Sequence, residues 1–229
     1  MSLKETRSLL SLEPNDYTVW EIFKKCNASW VYDVEKGGPH AVLTSGKHSN
    51  AYFNLNAVAM FPDFCEFIAS VFVRKLAEFG IAEEDVDVVL SSTFAATPFG
   101  QEIARSLRAL SVFTEKKDSD QVWTGRFKLP VGCNVLHFEE LITTMSTTRK
   151  VDDAVSGLPI NLIRRSGKIV IGTIVHRPSD LSKTHPGHRI VPLIEMEVKN
   201  WNRLECPLCD IDSPALQPKQ NWAEFMKYQ

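Results

Sequence analysis

The run HFEELITTMSTT, residues 137–148, decides how this chain is read. An apolar stretch ends in two adjacent acids, Glu139 and Glu140; two aliphatic residues follow, then five hydroxyls in six positions, interrupted by Met145. A strand end that passes through a hydroxyl-rich turn into a helix gathers backbone N–H groups and aims a helix dipole at one place, which makes an anion seat. Thr143, Thr144, Ser146, Thr147 and Thr148 add hydroxyl donors to it. The two glutamates would repel an anion placed directly on them, and fit sugar hydroxyls, a metal ion or a developing cation. A sugar phosphate satisfies both halves, with the phosphate in the turn and the ribose on the acids. Residue types alone leave a plainer alternative open: a helix start with surplus caps and solvated acids.

Working outward, short apolar runs alternate with helical patterns. Residues 86–90, 111–114, 134–138, 168–175 and 189–194 read as strands, and 17–34, 62–79 and 101–110 as helices. Residues 149–165 read as helical in part, interrupted by Gly157 and Pro159. Pro62 suits a first helical turn and Gly80 a stop. Continuous apolar strands with helical crossovers predict an α/β fold, a mostly parallel twisted sheet flanked by helices. Ligands of such sheets bind at the carboxyl ends of the strands, where Glu139 to Thr148 and the small-residue turn SSTFAATPFG, 91–100, are expected to lie.

The chain has 229 residues, enough for one domain with a sizeable core. Its formal net charge of −2 lacks the basic excess of a nucleic-acid binder. No apolar run approaches the ~18 residues of a membrane span, so no membrane partner is expected. The start, MSLKETRSLLSL, carries charges inside its apolar stretch and lacks a small-residue cleavage site, unlike a signal peptide. Five scattered cysteines are unlike a secreted disulfide framework, and a cytoplasmic protein is expected. Neither GxGxxG nor GxxxxGK[ST] occurs. Cys206 and Cys209 form a lone CxxC. A closed zinc site needs four ligands. Cys133 or a histidine would have to complete it, but no second pair has the spacing, so two reduced thiols are expected and no metal is assigned to protein ligands. His48 is read either as a ligand contact or as a surface histidine, and Trp123 either as packing or as a cover over the site.

The stretch 137–148 resembles the signature of the type I phosphoribosyltransferases: a strand, two acids, two aliphatics, then a Thr/Gly/Ser loop. Within that family the chain is most similar to the orotate phosphoribosyltransferases, in their bacterial form ending in Cys-Pro-Leu-Cys. LTSGKHSNAYFN at 43–54, VFTEKKD at 112–118, IVHRPSD at 174–180 and ECPLCDIDSPALQP at 205–218 carry the likeness collinearly over about Val19 to Lys219. The resemblance implies transfer of phosphoribosyl from phosphoribosyl pyrophosphate to orotate, with magnesium carried mainly by the donor's diphosphate. It implies that Glu139 and Glu140 meet the ribose hydroxyls, that Thr143, Thr144, Met145, Ser146 and Thr147 seat the 5′-phosphate, and that Ser92, Ala95 and Ala96 belong to the pyrophosphate turn. Ser45, Gly46, Tyr52, Phe53 and Arg177 would face the base. Lys116 and Lys117 would sit on a mobile catalytic loop that reaches the site of a second subunit, so a homodimer is implied. A single domain is expected, with a hood from about 17–60 and 198–229 on a core of about 62–197.

The chain departs from the family's pattern at the ligand loops. Glu140 stands where Asp is usual, Met145-Ser146 and Ala95-Ala96 where glycines are usual, and His176, read as a structural replacement, where Asp usually precedes the arginine. These departures leave two further readings beside orotate transfer: a protein on the same fold that binds the donor or a nucleotide for regulation, and a transferase for another base.

Overall fold

In this computed structural model residues 15–228 are described, apart from the side chain of Asp16. The stretch 1–12, read above as no signal peptide, lies outside them. In chain order the elements are α1 (Asp16–Lys25), β1 (Ser29–Val31), β2 (His40–Val42), β3 (His48–Ser49), β4 (Ala51–Phe53), α2 (Asn56–Ala59), α3 (Pro62–Glu78), β5 (Val88–Ser91), α4 (Ala96–Ser106), β6 (Leu110–Phe113), β7 (Glu115–Lys117) and β8 (Asp120–Val122). Then follow β9 (Asn134–Ile142), α5 (Ser146–Val155), β10 (Asn161–Leu162), β11 (Arg164–Arg165), β12 (Lys168–His176), β13 (His188–Glu195), β14 (Asn200–Trp201), α6 (Pro207–Asp210), β15 (Ala215–Leu216) and α7 (Pro218–Phe225).

The main sheet has a parallel spine in the order β6-β5-β9-β12-β13, with β10 parallel to the start of β9 and β11 antiparallel to the start of β12. Its strands are apolar on both sides because both faces are covered, and the period of two sorts the residues. Val89, Leu136, Phe138, Val170 and Ile174 join the larger core with Phe64, Ile68 and Phe72 of α3 and Phe99 and Ile103 of α4. Val88, Leu90, Val112 and Val135 turn the other way, onto Val151 and Val155 of α5. Gly172 is required where β12 passes under α3: a Cβ there would stand 2.3 Å from Phe72 Cζ. A smaller sheet, β14-β3-β2-β15, joins the N-terminal third to the C-terminal tail. Among the described residues no helix is long and apolar enough to cross a membrane.

Helix α3 starts on Pro62 and stops before Gly80 at φ +82, as expected. Three boundaries differ from the sequence reading. The helix expected over 17–34 ends at Lys25; Asn27 takes φ 52, and the chain returns as β1, where Trp30 pairs with Tyr52 of β4. The helix expected over 101–110 runs from Ala96 to Ser106, because Ala95 and Ala96 already sit in the right-handed helical region, and Leu110 belongs to β6. The strand expected to end at 138 runs on to Ile142, since the ladder with β12 continues through Thr173–Glu139 and His176–Ile142. The acids are therefore strand residues, not loop residues. The partly helical reading of 149–165 resolves into the end of α5 followed by β10 and β11.

Candidate active site

The end of β9 carries the site. Residues two apart on a strand share a face, so His137 and Glu139 lie on the α5 side. His137 is fully buried; its Nδ1 meets Asp152 of α5 at 2.8 Å and its Nε2 meets Glu139 Oε1 at 3.1 Å. Asp152 is bound in turn by His188 Nε2 at 2.8 Å. Burial alone would lower the His137 pKa, but the hydrogen bonds to Asp152 and Glu139 outweigh it and hold the imidazolium at about 9. Burial pushes Asp152 upward as well, and the two histidines overcome that and keep it below the usual carboxylate range. The other oxygen of Glu139 accepts from Ser92 Oγ, at the end of β5. Glu139 is thus a buried carboxylate with both oxygens engaged, and it ties two adjacent strand ends together.

Glu140 behaves differently. It lines a cleft of about 290 Å³ together with residues 141–148. Burial, and then the neighbouring Glu139 charge, push its pKa up to about 7. Helix α5 begins inside the same cleft. Its first internal bond runs from Arg149 N to Met145 O at 3.0 Å, and no side chain caps the helix. The amides of the first turn, Ser146 to Thr148, therefore lack helical partners, the condition for an anion seat. Thr144, Ser146 and Thr147 are exposed; Thr148 is buried.

Met145 does not occupy the seat. It sits at φ 64, the left-handed conformation glycine takes without penalty. Its side chain is buried with Ile142 and Ile171, with Ile169 and Ile190 against it. The turn keeps the shape of a glycine loop, and the methionine anchors it from behind. In the second turn, Ala95 has φ −67 and Ala96 is helical, so neither position calls for glycine on backbone grounds. The Thr93–Phe94 peptide is cis. Thr93 Oγ1 is buried without a hydrogen-bond partner among the described residues.

Arg177 follows β12 and is joined to this end of β9, its N–H donating to Ile142 O at 2.8 Å. Its guanidinium lies 5.9 Å from the Phe53 ring centre. Nε and Nη1 are buried without a hydrogen-bond partner among the described residues. Burial lowers the Arg177 pKa and raises that of Tyr52, whose hydroxyl feels the nearby guanidinium. Buried donors of this kind are costly to leave unmade, so they mark a place for a ligand.

Among the described residues, the remaining expected residues make no side-chain hydrogen bond, ion pair or ring contact with this cluster. Ser45 and Gly46 form the exposed tip of the β2–β3 hairpin, Gly46 donating to Leu43 O at 2.9 Å. Lys116 and Lys117 are exposed on β7. Their hairpin is held down by Lys150 to Asp120 at 3.1 Å and by Thr114 to Gln121 at 2.7 Å. Trp123 packs with Phe127 against the α5-side core and is no cover over the cleft. His48 is neither a surface residue nor a contact to the cleft. It is buried, 2.8 Å from His40. His176 is buried and bonded to Glu195 at 2.7 Å, a structural position. The sequence reading missed His137, Asp152 and His188. The only local signal was a histidine two residues before Glu139 on a strand.

No protein-family model matches the chain. It is 31% identical over 202 residues to the orotate phosphoribosyltransferase of Caldanaerobacter subterraneus subsp. tengcongensis, covering 87% of this chain and 95% of that one. It is 31% identical over 180 residues to the orotate phosphoribosyltransferase of Desulforamulus reducens, covering 78% and 87%. Among solved structures, the Mycobacterium tuberculosis orotate phosphoribosyltransferase in complex with inorganic phosphate superposes with a TM-score of 0.55 at 18% identity, covering 80% of this chain and 96% of that one. The Aeropyrum pernix orotate phosphoribosyltransferase gives 0.52 at 18%, covering 77% and 93%. The two structures share the fold.

Proposed function

This chain belongs to the orotate phosphoribosyltransferase family, and we propose that it transfers phosphoribosyl from phosphoribosyl pyrophosphate to a ring nitrogen of orotate, releasing pyrophosphate. One observation carries the reading. An uncapped helix start with free amides and a buried guanidinium with unmade donors converge on the end of β9, joined through the Arg177–Ile142 hydrogen bond.

In this reading the 5′-phosphate sits on Thr143, Thr144, Met145, Ser146 and Thr147, and Glu140 receives the ribose hydroxyls. Glu139 acts from behind, holding Ser92 at the pyrophosphate turn with Ala95 and Ala96. The orotate carboxylate and ring oxygens satisfy Arg177, whose planar fork suits them, beside Tyr52 and Phe53. Ser45 and Gly46 close the base side from the hairpin. As the bond to pyrophosphate breaks, positive charge grows on the ribose and negative charge on the leaving group. The acids stabilise the first; Lys116 and Lys117, reaching the site of a second subunit, stabilise the second. A homodimer is part of the proposal, as are a cytoplasmic location and a hood, 17–60 with 198–229, over a core of 62–197.

Magnesium fits this site as a hard cation carried by diphosphate oxygens with few protein ligands, because Glu139 commits both oxygens to Ser92 and His137. When bound it neutralises charge on the departing pyrophosphate. The test is to incubate the pure chain with orotate, phosphoribosyl pyrophosphate and magnesium and follow orotate absorbance. Loss of orotate with matching pyrophosphate release is expected. Absence of turnover, with binding of donor or nucleotide still measurable by calorimetry, would replace transfer with a binding role.

A further inference from the structure

We propose that His40, His48, Cys206 and Cys209 form a structural zinc site that fastens the C-terminal tail to the smaller sheet. One ligand atom from each of the four lies within 4.8 Å of all the others. Cys209 Sγ is 3.3 Å from His48 Nδ1 and 3.6 Å from His40 Nε2, and Cys206 Sγ is 3.6 Å from His40 Nε2. A tetrahedral zinc with ordinary Zn–S and Zn–N bonds has S–N edges of about 3.5 Å and an N–N edge of about 3.3 Å. Three of the four sulfur–nitrogen edges already match, and the fourth, Cys206 to His48, lies within 4.8 Å. The His40–His48 edge, at 2.8 Å, opens by about half an ångström to admit the ion.

The surroundings select the ligating atoms. Ser213 Oγ donates its one hydrogen to Gly38 O at 2.7 Å, so it accepts from His40 Nδ1 at 2.9 Å. His40 therefore carries its proton on Nδ1 and presents the Nε2 lone pair to the cluster, the outer hydrogen bond that zinc-bound histidines use. The two histidines come from adjacent antiparallel strands, β2 and β3. The two cysteines come from one turn, closed by Cys209 N to Cys206 O at 3.0 Å. His40, His48 and Cys206 are buried and Cys209 partly so. Four protein ligands, two of them thiols, close the coordination sphere and favour zinc in a structural role over a catalytic one.

The position explains the need. The apolar cluster beneath this sheet is small, centred on Trp30, Ala41 and Phe225. The chain beyond residue 198 adds only two two-residue strands to this sheet, β14 paired with β3 and β15 paired with β2. Yet β4, which carries Tyr52 and Phe53 to Arg177, rests on this layer, and Trp222 of the tail packs on Tyr52. A metal clip supplies what so small a core does not.

The full chain is to be expressed in zinc-supplemented medium and purified without chelator. Metal content is read by mass spectrometry and the site by cobalt(II) substitution. About one zinc per chain is expected, with thiolate-to-cobalt charge-transfer bands and intense tetrahedral d–d bands. Cys206→Ser and Cys209→Ser are each expected to lose zinc at least about tenfold more readily to a competing chelator, while Cys133→Ser retains it. Zinc below about 0.1 per chain without cobalt–thiolate bands, or a Cys206–Cys209 disulfide in the native protein, would overturn the site. So would a Cys209→Ser chain that holds zinc as the unaltered chain does. The cobalt spectrum of the unaltered chain decides the matter even where a variant fails to fold.

Discussion

Replacing Glu140 with Gln separates what this side chain does for catalysis from what it does to stability. Burial and the Glu139 charge raise its pKa from 4.5 to about 7. A carboxyl whose folded pKa lies above its unfolded value destabilises the fold when it ionises. The penalty is absent below pH 4.5, where both states are protonated, grows as pH rises, and is complete above about pH 7. A gap of about 2.5 units corresponds to roughly 3 kcal/mol, an order-of-magnitude figure. The amide cannot ionise, so Glu140→Gln should match the unaltered chain near pH 4.5 and exceed it by about 2–3 kcal/mol at pH 8, or roughly 5–10 °C in melting temperature. The same change should lower kcat for orotate transfer by about a hundredfold or more, because the charge facing the ribose is gone. Urea unfolding at pH 5 and pH 8 measures the first effect. An equal difference at the two pH values, or a variant less stable at pH 8, would refute the buried-acid argument.

His137→Leu strands Asp152 and Glu139 without their shared cation and should cost on the order of 3 kcal/mol at pH 7. Because the folded His137 pKa is raised to about 9, its contribution is present below pH 6.5 and lost as pH rises through 9, so the variant should lose that alkaline decline in urea unfolding. Met145→Gly relieves about 1 kcal/mol of left-handed strain but removes a buried side chain worth about 2–4 kcal/mol, so calorimetry should show a lower melting temperature. Gly172→Ala drives a methyl into Phe72 and should destabilise by about 1–3 kcal/mol. Arg177→Lys keeps the charge but loses the fork, and should raise KM for orotate by about ten- to a hundredfold.

The parallel sheet was legible because β12 and β13 are apolar runs rich in β-branched residues, found within about one residue of their ends. The start of α4 was not, because an Ala-Ala-Thr-Pro segment carries no apolar period. The acids were misplaced to a loop because charge was taken as the end of a strand. Here the β9–β12 ladder carries them, and a buried histidine partners one of them. That histidine escaped notice because Asp152 lies 15 residues on, inside α5, and His188 further still, and no local pattern links them. The missing glycines were legible, but their consequence was not. Ala95 needs no positive φ, and Met145 adopts one while its side chain packs beneath the turn. The cysteine pair was visible, but its completion by His40 and His48 depends on the hairpin bringing those strands together.

The most direct test of the account is a crystal structure of the chain with orotidine 5′-monophosphate. The account predicts the phosphate on the amides and hydroxyls of residues 143–148, the ribose hydroxyls on Glu140, and the pyrimidine against Arg177 beside Phe53. A nucleotide bound with its phosphate away from that helix start, leaving the Arg177 donors unmade, would contradict it.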